Sequence, residues 1–139
     1  MKYIVIIYHS KTGRTRTFAE ELERYLKTKE TEVIKTDLED FKDEMLENAG
    51  YIFFGCWTHG LFLIMQHPDK EWKEFAEKMH GKLEVKTALF TTYKFLTGSM
   101  FKNMIKYLNN KFDKPTLYLK SKNTNLSEKD KLKIDEFLK

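Results

Sequence analysis

Residues Ser10 to Thr15 carry the side chains of a phosphate-binding loop. The segment reads Ser10, Lys11, Thr12, Gly13, Arg14 and Thr15. Hydroxyl groups donate hydrogen bonds to phosphate oxygens, and a glycine lets the backbone approach a ligand closely. Backbone N–H groups at the start of a helix lack helical partners and, together with the helix dipole, attract anions. The chemistry that this segment predicts is the binding of a phosphate group.

The flanking residues predict a buried strand before this loop and an amphipathic helix after it. Tyr3 to Tyr8 is a continuous run of β-branched and aromatic residues, which is typical of a strand inside a parallel sheet. The helix is indicated by apolar residues at three- and four-residue spacing: Phe18, Ala19, Leu22, Tyr25 and Leu26. One hydroxyl suffices to cap a helix, so capping alone does not account for this loop. The chain has neither G-x-x-x-x-G-K-[ST] nor G-x-G-x-x-G, which excludes the two commonest nucleotide-binding loops.

Two further segments supply candidate ligand-binding residues. The second segment contains Cys56, Trp57, Thr58, His59 and Gly60. The third segment contains Thr91, Thr92 and Tyr93. Trp57 or His59 is expected to lie against a planar ligand, with Tyr93 on a facing loop, and Gly60 allows the backbone to rotate. Together with the phosphate loop, these residues predict a flat ring that bears a phosphate tail.

The elements that must position these segments alternate between strand and helix about five times. Further strands are predicted at residues 32–36, 51–54, 85–90 and 115–119, with a brief helical stripe at 41–46. Further helices are predicted after Pro68, Thr97 and Ser127. This alternation predicts an α/β fold, a doubly wound parallel sheet of five strands with helices on both faces. The loops at 9–15, 55–67 and 91–98 then meet at the carboxyl edge of the sheet, where such folds bind ligands.

Composition limits the function classes that need to be considered. The chain has 139 residues and a net charge of +4, from 25 basic and 21 acidic residues, which fits one domain over residues 1–139. Its basic residues form no stripe with interleaved aromatics, so we expect no nucleic-acid partner. We expect no signal peptide and no membrane span. Cys56 is the one cysteine, which excludes an internal disulfide and favours a cytoplasmic protein. No catalytic residue and no metal site is predicted.

Over nearly its whole length the chain resembles the flavodoxins, small electron carriers that bind flavin mononucleotide (FMN). Residues 10–15 match the family's [ST]-x-T-G-x-T phosphate loop, and residues 55–60 look like its G-C-S-T-W-G loop. The resemblance implies the strand order 2-1-3-4-5. It also implies that His59 or the adjacent Trp57 stacks on the inner ring face and Tyr93 on the outer one. Gly60 takes the place of the family's flipping glycine, and Thr58 corresponds to a residue near the phosphate or ribityl chain.

The resemblance implies FMN as the cofactor and one-electron transfer between redox partner proteins, by a monomer or weak dimer. It leaves other functions open. One is an FMN-dependent reductase or oxidase that acts on a quinone or porphyrin-like substrate. Another is the flavodoxin-like activator of class Ib ribonucleotide reductase, and a third is a flavin-free binding domain of the same fold. Three features depart from the family pattern: the His at position 59, a third loop without the usual glycine and acidic residues, and the basic net charge.

Overall fold

The computed structural model describes residues 3–59, 66–94 and 97–139. Across these residues, strands and helices alternate along the chain as the sequence predicts. The strands are β1 (Tyr3–His9), β2 (Val33–Asp37), β3 (Ala49–Trp57), β4 (Lys86–Thr92) and β5 (Leu117–Ser121). The helices are α1 (Arg14–Lys27), α2 (Lys70–Lys78), α3 (Met100–Leu108) and α4 (Glu128–Phe137), and a short 3₁₀ helix covers Asp43–Leu46. No helix among the described residues is long and apolar enough to cross a membrane.

The strands form one parallel sheet in the order β2-β1-β3-β4-β5, which confirms the predicted fold class and strand order. The order reverses between β1 and β3, because the chain moves outward to β2 and then returns to the other side of β1. Doubly wound sheets bind their ligands at such a reversal, beyond the carboxyl ends of the strands. The loop after β1 and the segment after β3 therefore lie where a ligand is expected.

Each face of the sheet is covered by two helices. Successive strand side chains point to opposite faces, so Ile4 and Ile6 lie on one side of β1, and Val5 and Ile7 on the other. The first face packs against α1 and α4, through Phe18, Ala19, Leu22, Leu26, Ile134 and Phe137. The second face packs against α2 and α3, through Trp72, Ala76, Met100, Met104 and Leu108. Apolar residues on both faces explain why the strands read as continuous apolar runs.

Three lysines bind backbone carbonyls at the edge of the sheet opposite to the predicted site. The Lys111 ammonium donates to the carbonyls of Ala76, Glu77 and Met79 at the end of α2. Lys82 binds the carbonyls of Leu46 and Glu47, at 2.5 and 2.7 Å. Lys86 binds those of Phe137 and Lys139, at 2.9 and 3.1 Å. These carbonyls end helices and lack helical partners, so a cation both satisfies them and complements the helix dipole.

Several predicted boundaries differ from the structure. β3 continues past Phe54 to Trp57, and β4 continues to Thr92, so residues that the sequence places in loops belong to strands. The reason is pairing, since Cys56 lies between His9 of β1 and Thr91 of β4 and has a partner on both sides. β5 begins at Leu117 and not at residue 115, where proline has no N–H to donate to a neighbour. The stripe predicted at 41–46 forms only the short 3₁₀ helix.

Gly55 offers a test of the packing that brings β3 and β4 together. A Cβ atom at this position would overlap the ring of Phe90, which is fully buried between the sheet and α1. We expect Gly55→Ala to lower the free energy of unfolding by about 1–3 kcal/mol, the usual cost of overpacking. Gly13→Ala is the control, because its Cβ meets nothing within 4 Å and only the left-handed backbone is penalised, by about 1–2 kcal/mol. Urea denaturation measures both; a neutral Gly55→Ala would contradict the packing described.

Candidate functional site

The loop between β1 and α1 is folded around the hydroxyl of Ser10. The Ser10 Oγ accepts hydrogen bonds from the N–H groups of Gly13 and Arg16, at 3.1 and 3.2 Å. Gly13 has a φ of +92°, in the left-handed region that glycine adopts without strain, and it directly precedes α1. The loop therefore turns sharply into the helix, because one serine hydroxyl binds the N–H of the glycine at the turn and an N–H in the first turn of the helix.

This turn leaves a set of backbone donors without acceptors. Within the described part of the chain, the N–H groups of Lys11, Thr12, Arg14 and Thr15 have no hydrogen-bond partner. They surround the N-terminus of α1, where the helix dipole adds partial positive charge. The side chains of Lys11 and Thr12 are exposed. Unpaired N–H groups at a helix N-terminus fit a phosphate, as the sequence predicts.

Other hydroxyls predicted for ligand binding instead join the loops to the sheet. The Thr15 and Thr92 hydroxyls lie 2.7 Å apart in the interior, and the Thr58 and Thr91 hydroxyls are also 2.7 Å apart. Thr91 donates to the carbonyl of Cys56 at 2.6 Å. The contact of the Thr15 hydroxyl with a phosphate stays a prediction, and in this structure that hydroxyl faces β4. Its backbone N–H remains a candidate donor.

Trp57 lies beside the phosphate loop at the end of β3. Its indole Nε1–H donates to Asp69 Oδ2 at 3.2 Å, and the side chain is half-buried. The Lys11 ammonium lies 5.0 Å from the centre of the indole ring, a cation–π distance. The His59 ring lies 4.9 Å from it. Trp57 is thus anchored at its nitrogen and links the phosphate loop to the segment after β3.

Asp69 connects three separate segments through one carboxylate. Its Oδ2 accepts from Trp57 and lies 2.9 Å from His9 Nε2, and its Oδ1 accepts from the N–H of Trp72, which caps α2. Burial raises the pKa of this carboxyl, but the Trp72 N–H and His9 outweigh it, so the pKa lies below its usual range. Glu71 is the only other carboxylate paired with His9 in the described residues, at 3.6 Å.

Of the residues predicted to contact the ring, the structure describes His59 and Tyr93 in addition to Trp57. His59 is exposed, its backbone pairs in both directions with that of His67, and the two rings lie 4.8 Å apart. Tyr93 is half-buried, and its N–H donates to the carbonyl of Ser121 at 3.2 Å. Gly60 lies outside the described residues. These positions bring Trp57 and His59 into contact, while Tyr93 lies along the neighbouring strand end.

The side chains of Cys56 and Arg14 contact other parts of the protein. The Cys56 side chain is fully buried in the core below α2, and burial raises the pKa of its thiol. The Cys56 side chain thus points into the core, and its predicted place in the site would be filled by its backbone at the end of β3. The Arg14 guanidinium donates to the carbonyl of Lys122, which fixes the charge beside the loop. Among the described residues no group of His, Cys, Asp and Glu could hold a metal ion.

Comparison with known families decides how this site is classified. Residues 5–128 match the model of the flavodoxin domain family. The chain belongs to the flavodoxin family. Membership assigns FMN as the cofactor, and the phosphate loop described above fits the phosphate end of that molecule. A search of curated protein sequences finds no match to the chain.

Solved flavodoxin structures share the fold at low sequence identity. Flavodoxin 1 from Bacillus cereus has a TM-score of 0.75 at 19% identity, with 99% of this chain and 97% of that one covered. The Megasphaera elsdenii flavodoxin has a TM-score of 0.73 at 19% identity, and 96% of each chain is covered. A Fusobacterium nucleatum flavodoxin mutant bound to FMN has a TM-score of 0.66 at 15% identity, covering 99% and 94%. At these identities the likeness concerns the fold.

His9 and Asp69 are the site residues that sequence reasoning missed. The sequence predicts another role for each of them. His9 is read as the end of a strand, and Asp69 follows Pro68 and is read as the start of a helix. They lie 60 positions apart, so no local pattern joins them. His9 is the last residue of β1, whereas Asp69 lies 12 positions beyond Trp57 at the end of β3, so only the folded chain brings the two side chains together.

Asp69→Asn tests the role of this carboxylate charge. Asparagine still caps α2, but it loses the charge beside His9 and places an N–H₂ group among donors. We expect the variant to unfold more easily at pH 7. Because the folded pKa of Asp69 is depressed, the wild-type advantage is full above the unfolded value of about 3.9 and declines as pH falls through the folded value.

Urea denaturation of both proteins between pH 7 and pH 3 measures this difference. Glu71→Gln is the matched control, because Glu71 is exposed and farther from His9. An advantage of wild type over Asp69→Asn that does not change across this pH range would show that the carboxylate charge contributes nothing.

Proposed function

We propose that this flavodoxin-family protein carries electrons one at a time between redox partner proteins, with FMN bound at the carboxyl edge of its sheet. The observation that carries the proposal is the set of unpaired N–H groups in the loop after β1, next to the anchored indole of Trp57. A phosphate donor set and an aromatic surface lie side by side, as a phosphorylated flat cofactor requires.

The protein's own residues would bind and orient the cofactor. The N–H groups of Lys11, Thr12, Arg14 and Thr15 and the exposed hydroxyl of Thr12 would hold the phosphate. Each hydrogen bond to a charged group is worth about 1.5–3 kcal/mol. The aromatic side chains of Trp57, His59 and Tyr93 would contact the ring, and Thr58 and the backbones of Cys56 and Gly60 would lie along it. The buried Thr91 and Thr92 would support the site from behind, through their hydrogen bonds with Thr58 and Thr15.

Bound FMN would supply the one-electron redox chemistry. The chain's own residues then determine binding and charge. Lys11 and Arg14 place positive charge beside the phosphate, and the Asp69 carboxylate keeps Trp57 at the strand end. This arrangement stabilises negative charge at the phosphate end of the site.

Ser10→Ala tests the phosphate loop. Removing the Ser10 hydroxyl leaves the N–H groups of Gly13 and Arg16 without an acceptor and loosens the turn. We expect FMN to bind about tenfold more weakly, and riboflavin, which lacks the phosphate, to be affected little. Isothermal titration calorimetry with both ligands measures the change.

Ser127→Ala is the matched control for this substitution. Ser127 also accepts a backbone N–H at a helix start, but at α4, away from the loop. It should lose stability of about 1 kcal/mol and keep its FMN affinity. Equal losses of FMN and riboflavin affinity in Ser10→Ala would place the phosphate elsewhere.

Anaerobic reduction of the FMN-loaded protein separates the carrier from the alternatives. A carrier should show two successive one-electron steps in the visible spectrum when dithionite is added in portions. It should also oxidise NAD(P)H with benzoquinone far more slowly than about 1 s⁻¹, the lower end of ordinary enzyme turnover. Turnover at enzymatic rates would favour the reductase, and a colourless protein that takes up no FMN would favour the flavin-free binding domain.

A further inference from the structure

Three segments at the carboxyl edge of the sheet contain basic residues and no acidic ones. They are residues 10–16 after β1, residues 93–94 and 97–99 after β4, and residues 120–127 at the end of β5. Their cations are Lys11, Arg14, Arg16, Lys94, Lys120 and Lys122, here called the basic patch. The whole chain is nearly balanced, with 25 basic and 21 acidic residues, so the absence of carboxylates in these segments is local.

Two hydrogen bonds bring the three segments together. The Arg14 guanidinium donates to the carbonyl of Lys122, which joins the first segment to the third. The N–H of Tyr93 donates to the carbonyl of Ser121, which joins the second segment to the third. The basic patch is therefore one continuous surface beside the phosphate loop.

Among the described residues, the cations of the basic patch lie apart from carboxylates, with the exception of Arg16, which acts on Tyr8 together with Glu20, Asp37 and Asp40. All of its side chains except Arg14 are exposed. None of its cations forms an ion pair with a carboxylate in the described part of the chain, whereas surface lysines such as Lys27, Lys35 and Lys131 do. One phosphate group would occupy the loop after β1, and it would leave Lys94, Lys120 and Lys122 without a counter-charge.

We propose that the basic patch is the docking surface for a redox partner protein that presents a cluster of carboxylates. This inference rests on the proposed electron-carrier function, because electrons would enter and leave through the FMN ring, which would lie at Trp57, His59 and Tyr93 next to the patch. Opposite charges steer two proteins together and orient them, and so raise the association rate. Single-stranded nucleic acid is the less suitable occupant, because its sites combine cations with stacking aromatics. The aromatics nearest the patch, Tyr93 and the Trp57 ring 5.0 Å from the Lys11 ammonium, would already be covered by the FMN ring.

A charge-reversal variant tests the patch directly. Lys94→Glu/Lys122→Glu reverses two exposed charges and keeps the Lys122 carbonyl that Arg14 binds. Lys114→Glu/Lys133→Glu is the matched control, because both lysines are exposed, lie outside the basic patch and give the same change in net charge. Each protein is first titrated with FMN, and unchanged affinity shows that the cofactor site is intact.

The first probe pair is ferricyanide, an anion, and hexaammineruthenium(III), a cation. Stopped-flow oxidation of the reduced, FMN-loaded wild type by ferricyanide should slow about tenfold or more as salt is raised, and oxidation by the cation should not. The Lys94/Lys122 variant should lose this preference and the Lys114/Lys133 variant should keep it. Equal behaviour of the two variants would overturn the proposal, because net charge and not the patch would then control the rate.

The second probe is an acidic plant-type [2Fe–2S] ferredoxin, with the basic cytochrome c as the like-charge control. Calorimetry at low salt should show binding of ferredoxin and none of cytochrome c, and the patch variant should bind ferredoxin on the order of tenfold more weakly. Tighter binding of a labelled oligo(dT), weakened by the same variant, would overturn the proposal in favour of nucleic acid. The calorimetry is also run without FMN, so that a protein that fails to bind FMN still gives a result for this surface.

Discussion

The candidate site depends on a single carboxylate that joins the ends of two strands and the start of a helix. Asp69 binds His9 at the end of β1, Trp57 at the end of β3 and the N–H of Trp72 in α2. A half-buried carboxylate is stable there only because all these donors converge on it. The sheet brings the strand ends together, and Asp69 then fixes the segment after β3 relative to the phosphate loop.

The fold could be predicted from the sequence because its signals are local and repeated. Apolar runs and three- to four-residue spacings identify strands and helices, and their alternation leaves few possible topologies. Strand ends were less predictable, since β3 reaches Trp57 only because Cys56 has paired neighbours on both sides. Pairing of this kind depends on residues distant in sequence, which a local pattern does not contain.

The two ends of the site differ in how much the sequence revealed. The phosphate end depends on backbone N–H groups at one helix start, and a short motif predicts such an end well. The ring end depends on which hydroxyls and aromatics meet across strands. Thr15 has the expected residue type in the expected place, yet its hydroxyl pairs with Thr92. Residue type alone does not show where a side chain points. Contact of the ring with Trp57, His59 and Tyr93 is therefore a proposal.

The lysines that bind helix-ending carbonyls lie at the edge of the sheet opposite to the site. Lys82, Lys86 and Lys111 keep the helix ends fixed there, while the loops at the other edge carry no part of this capping. Selection can therefore act on the two edges separately. Substitutions at the capped edge are expected to change how long the protein survives in its folded form, whereas substitutions at the loop edge can change both this survival and the molecules that the protein meets.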